Sequence, residues 1–155
     1  MEKLRKLLGE ARDKLNTADH LTYVTYPAID DVKMLYAITE GLFVAARNAM
    51  KAIVQYDRMY KRVPLVPGDF RSEFEIFKSR CAVRYGIDRI YVELIEELNR
   101  VVELRKTSPM EFVRRDKLVI CTENYKMKVI NLAKVKDYLK LSKGLVGHAS
   151  RIIKC

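Results

Sequence analysis

From Ile87 to Val102 the apolar side chains Ile87, Ile90, Tyr91, Leu94, Ile95, Leu98, Val101 and Val102 recur at three- and four-residue steps. Only an α-helix gathers side chains at that spacing onto one face, so the segment predicts a helix that buries one stripe and leaves its Glu and Arg residues in water. A chain built from such segments folds by packing helix against helix.

The same period runs through most of the sequence. Leu4, Leu7, Leu8, Ala11, Leu15 and Ala18 share one face of a first helix over residues 1–20. The stretch Leu21 to Tyr26 is β-branched and aromatic and precedes Pro27, so the chain is expected to extend or turn there. Asp30 or Asp31 then caps a long second helix reaching about Arg62 and stopped by Pro64. Its stripe, with Val32, Leu35, Tyr36, Leu42, Phe43, Ala46, Met50, Ile53 and Val54, suits the centre of a bundle, and Gly41, Ala45, Ala46 and Ala49 allow a close neighbour. Residues 64–68 form a loop; Ser72 with Glu75, or else Asp69, caps a third helix carrying Phe70, Phe74, Phe77 and Cys81 on one face, which Gly86 ends.

Past the fourth helix the pattern changes. Ser108, Pro109 and Glu111 have capping-box spacing with proline at the first helical position, which predicts a short helical turn. Residues 117–121 and 125–130 flank Thr122, Glu123 and Asn124 and read as a hairpin, with Lys126 and Lys128 on the face opposite Tyr125, Met127 and Val129. Asn131 caps a last helix whose apolar face is Val135, Tyr138, Leu139, Ser142, Leu145, Val146, Ala149 and Ile152. The predicted fold is all-α: an antiparallel up-and-down bundle of about five helices with a small β-hairpin before the last helix, formed by residues 1–155 as a single domain.

Composition limits the chemistry. Cys81, Cys121 and Cys155 are widely spaced and odd in number, and His20 and His148 have no close Cys or His neighbour, so neither a disulfide framework nor a metal site is expected. No phosphate-binding glycine loop, HExxH or GxSxG is present. Glu93 and Glu97 lie outside the apolar stripe and read as a solvated face, and Cys81 reads as core. With no membrane-length apolar run and a charged N-terminus, the reading is a soluble, cytoplasmic protein without a cofactor.

Charge is the sharper signal. Of the net +10, residues 1–99 hold 16 basic and 15 acidic side chains, whereas residues 100–155 hold 14 basic and 5 acidic. An excess confined to the last third is what a surface meeting a polyanion requires, because Lys and Arg that neutralise phosphates release counterions. Within it Arg105, Lys106, Arg114, Arg115 and Lys117 lead into Lys126 and Lys128, and Tyr125 between them can stack on a base. These eight residues are the expected nucleic-acid-binding set; no catalytic residue is assigned.

The long alanine-rich second helix with Arg47, Asn48, Ala49 and Met50, the run from Leu104 to Arg115, and the later Val135 to Leu139 resemble the HEPN family (higher eukaryotes and prokaryotes nucleotide-binding), in an archaeal-type branch. The resemblance implies a four- or five-helix bundle, often dimeric, of a kind found paired with nucleotidyltransferases or acting as metal-independent ribonucleases. Arg105 falls at the place of the arginine of the cleaving members, but no histidine follows it through Phe112. Without that imidazole nothing moves a proton between a ribose hydroxyl and the leaving oxygen. The expectation is a non-catalytic homodimer that binds RNA or a nucleotide-bearing partner, such as a nucleotidyltransferase, through its basic last third. The alternatives are a divergent ribonuclease using Arg105 with Tyr125 or His148, a DNA-binding module, and a plain protein-interaction or dimerisation module.

Overall fold

The computed structural model describes residues 1–108, 110–122, 124 and 126–154. Its first helix, α1, is longer than the sequence suggests. An α-helix Glu2–His20 passes through a π-helical turn Leu21–Thr25 into a last turn Tyr26–Ile29, so the expected extended stretch before Pro27 is helical instead. A regular α-helix would bring the proline ring against the carbonyl four residues back; the wider turn just before it, with Tyr26 N–H bonded to the Leu21 carbonyl, accommodates a residue lacking its own N–H. Thr22, buried in that turn, returns its hydroxyl to the Ala18 carbonyl at 2.7 Å.

Asp30, at a left-handed φ of 55°, ends α1, and helix α2 runs Met34–Met59. It begins later than expected because Asp31 forms a tight turn, accepting from Lys33 N–H at 3.1 Å, and does not cap a helix directly. Twenty-six residues make α2 about 39 Å long. It is the central helix: every other helix packs against it, and Ala45, Ala46, Ala49 and Ala52 are fully buried along it. Helix α3 runs Phe70–Ile76, through a π turn Phe77–Cys81, to Ala82–Tyr85. Asp69 is its cap, accepting from Ser72 N–H, and Gly86 closes it at φ 61°, a conformation that a Cβ would strain. Helix α4 is Arg89–Thr107, capped by Asp88; helix α5 is Leu132–Ile153, capped by Asn131 as its sequence indicates. On α5 the terminal core residue is Ile153 in place of Ile152.

Where a short helical turn is expected to start at Ser108, a strand begins at Met110. Pro109 lies outside the described residues, and Ser108, extended at ψ 127°, holds its hydroxyl 2.5 Å from the Cys121 carbonyl oxygen instead of capping a helix. Strands β1 (Met110–Arg114), β2 (Lys117–Cys121) and β3 (Met127–Ile130) form an antiparallel sheet in that order. The predicted hairpin is β2 with β3, in the register Cys121 to Met127 and Leu118 to Ile130. The inner face buries Leu118, Ile120 and Ile130 in the same core cluster as the helices. Met110, Phe112, Met127 and Val129, on the outer face, are exposed.

Two further contacts orient the bundle. Arg12 reaches the Ser150 hydroxyl at 2.8 Å and Lys143 pairs with Asp19, so α1 and α5 run antiparallel side by side. Close approach of α4 to α5 depends on Gly144, where a Cβ would stand 2.6 Å from the Tyr91 hydroxyl; Gly41, expected to serve such a role, has open space around it. Asp57, fully buried on α2, accepts from the Tyr85 hydroxyl and lies 3.4 Å from Arg62 and 3.6 Å from Arg84, tying α2 to α3. No described helix is long and apolar enough to cross a membrane.

Candidate nucleic-acid interface

Of the eight residues singled out by sequence, the seven that are described do not form one grip. Arg105, in the last turn of α4, donates from Nε to Glu111 at 2.9 Å and from its terminal nitrogen to the second oxygen at 3.4 Å, and lies 4.2 Å from the Tyr36 ring centroid. This two-point bond to the charged form raises the guanidinium pKa further, and a carboxylate already occupies the fork that a phosphate would take. Tyr36 is itself buried beside Glu40, which pushes its hydroxyl pKa up. Lys106 pairs with Glu103 at 3.5 Å. Lys128, on the inner side of β3, pairs with Glu97, which also lies 3.6 Å from Arg100. Glu97 is thus a half-buried counter-ion and not a solvated side chain, while Glu93 pairs with Arg89 on the surface.

The remaining cations stand at opposite ends of the sheet. Arg114, Arg115 and Lys117 surround the two-residue turn between β1 and β2. Lys126 enters β3 at the other end, about 13 Å away by the length of β2. Tyr125 lies outside the described residues. The outer sheet face between the two groups is apolar, and the Arg115 turn faces acidic groups: Asp30, Asp31 and Asp116 share a groove with it and with Val113. All three aspartates also help push the buried Tyr26 hydroxyl pKa upward, after burial itself.

A basic surface that the residue-by-residue reading passed over lies on α5. Residues 131–155 hold six basic side chains and one acidic. Lys136, Lys140, Lys143 and Arg151 fall within an arc of about 80° at 100° per residue, with Gly147 among them, roughly opposite the buried face, and Lys154 follows as the C-cap at a left-handed φ of 57°. All five are exposed. Among the described residues only Lys143 has a carboxylate within ion-pair distance, Asp19. From Lys136 to Arg151 the stripe is about 22 Å long. Among the described residues Arg12 of the adjoining α1 has only the neutral Ser150 as partner, so it adds positive charge alongside.

At the N-terminal end of the stripe the Lys136 ammonium sits 5.3 Å from the centroid of the Tyr23 ring, which projects from the π turn of α1. Tyr23, Lys136, Asp137, Leu139, Lys140 and Lys143 line an open groove of ≈ 400 Å³. At the other end Arg151 stands 3.3 Å from His148 Nδ1, whose ring packs edge-on to Tyr91 at 5.1 Å. Burial first and the Arg151 cation second lower the His148 pKa, keeping that imidazole neutral at pH 7. The sequence carried the signal for this surface in steps of four, three and eight residues between the cations Lys136, Lys140, Lys143 and Arg151, which is the complement of the apolar stripe already read on the same helix.

Comparison with protein-family models, with curated proteins and with solved structures gave no match.

Proposed function

We propose that this protein binds RNA without cleaving it, and that the affinity comes from the cationic face of α5. The observation that carries the reading is the stripe itself: four cations on one helical face, followed by Lys154 at the C-cap, with a single carboxylate partner among the described residues. A straight row of flexible ammonium and guanidinium groups matches a polyphosphate backbone and reads no base edge, so binding is sequence-tolerant and falls steeply with salt. Two of the cations near the sheet serve another end: Arg105 and Lys128 fasten β1 and β3 to α4 through Glu111 and Glu97. Arg105 is the arginine a cleaving site would need, and its engagement by Glu111 and Tyr36 supports binding over catalysis.

The test is fluorescence anisotropy of a labelled 12-nucleotide single-stranded RNA at low salt. Lys136→Glu with Lys140→Glu is expected to abolish measurable binding, whereas Lys106→Glu is expected to leave it within about twofold, since Lys106 is already neutralised. Binding equal to wild type in the double variant, with its helical content intact, would refute the assignment.

A further inference from the structure

We infer that Tyr23 is a stacking site for an unpaired base, which makes single-stranded nucleic acid the substrate class of the α5 surface; this rests on the RNA-binding reading above. An aromatic ring is ordinarily buried for its area, yet Tyr23 keeps 52% of its surface open beside Val24 at 56%. Both belong to the π turn Leu21–Thr25, an irregularity that recurs at functional sites. The ring is oriented by the Lys136 ammonium, 5.3 Å from its centroid, and so stands at the end of the cationic row, where a strand tracked by Lys140 and Arg151 would deliver its next nucleotide. The adjoining groove, ≈ 400 Å³ with Leu139 in its lining, is of a size for one planar group. Asp137 is the one acidic lining residue, and Asp19 nearby is taken by Lys143. A base within a duplex has its faces covered by its neighbours and cannot use the ring; an extruded or single-stranded base can.

The chain contains no tryptophan, so Tyr23→Trp introduces a single indole reporter at the site. Titrated with a 12-nucleotide single-stranded RNA, its emission is expected to be quenched; a 12-base-pair RNA duplex and inorganic polyphosphate, both followed by competition against labelled RNA, are expected to bind the row without quenching. Tyr23→Ala is expected to weaken single-strand binding about 10-fold and leave polyphosphate competition unchanged, while Tyr23→Phe keeps wild-type affinity. Salt-sensitive RNA binding with an unquenched indole and an unaffected Tyr23→Ala variant would overturn the stacking site and leave the α5 reading standing. Equal quenching by duplex would overturn the single-strand preference. Failure of every polyanion to bind the wild-type chain would overturn both.

Discussion

Removing Lys140 and Arg151 together should change the salt dependence of RNA binding by an amount fixed in advance by the structure. Three cations of the α5 row, Lys136, Lys140 and Arg151, together with Lys154 at its C-cap, have no carboxylate within ion-pair distance among the described residues, and Lys143 is engaged by Asp19. Each phosphate neutralised on a single strand contributes about −0.7 to the slope of log K against log salt, so the wild-type slope should be about −2.8. Raising salt from about 50 to 200 mM would then weaken binding about 50-fold. In the Lys140→Ala, Arg151→Ala variant two contacts remain, the slope should fall to about −1.4, and the same change in salt should cost only about 7-fold. Arg114→Ala with Arg115→Ala is the comparison: both lie off α5, at the turn between β1 and β2 where Arg115 shares a groove with Asp30, Asp31 and Asp116, so the slope should stay near the wild-type value. Anisotropy titrations at four or five salt concentrations give all three slopes. A wild-type slope near zero, or a loss of slope in the Arg114, Arg115 variant and none in the α5 variant, would show that the cations counted here are not the ones that meet phosphate.

Other consequences follow from the buried polar groups. Asp57→Ala removes the shared acceptor of Tyr85, Arg62 and Arg84; since both arginines are partly exposed and can rehydrate, the cost should be about 2–3 kcal/mol, read as a fall in Tm of roughly 5–10 °C. An unchanged Tm would mean that the cluster contributes nothing to joining α2 and α3. Burial, with Asp57 beside it, pushes the Cys81 thiol up to about 12, so iodoacetamide at pH 8 followed by peptide mapping should leave Cys81 unmodified in the folded chain while half-exposed Cys121 is labelled. Labelling of Cys81 without denaturant would contradict its placement. The lowered pKa of His148 means that the unfolded chain binds the proton more readily; its contribution to stability is present above the unfolded value near 6.5 and is lost as pH falls through the lower folded value. Tm should therefore drop more between pH 7.5 and 5.5 in the wild type than in His148→Gln, and identical drops would refute the assignment.

Much of the architecture can be read from side-chain spacing because the helices are amphipathic and their ends carry local signals. Asn131, Asp69 and Gly86 mark boundaries that depend only on neighbours within a turn or two. Two departures have non-local causes. The π turn before Pro27 reconciles a proline with a helix that tertiary packing keeps going, since Tyr26 is buried among the core side chains. β1 forms because β2 offers a pairing edge, and this overrides a capping-box pattern whose serine bonds across the sheet to Cys121.

The candidate site was less legible for a related reason. A cation's value to a ligand depends on which carboxylate the fold places beside it, and Glu97 with Lys128 spans 31 positions of sequence that periodicity cannot bridge. Arg105 with Glu111 joins a helix end to a strand read as helix, so that neutralisation was hidden as well. The α5 row was open to inspection throughout. Helices are customarily read by their apolar face, and the opposite face of α5, regular in its own spacing, holds cations of which only Lys143 has a carboxylate partner among the described residues.

The most direct test of the account is an amide-shift map of the ¹⁵N-labelled protein titrated with the 12-nucleotide single-stranded RNA. The account predicts the largest perturbations at Lys136, Lys140, Gly147 and Arg151 on α5 and at Tyr23 and Val24 on α1, with the turn at Arg114 and Arg115 little moved. Perturbations centred on that turn or on Arg105, with α5 silent at saturating RNA, would contradict it.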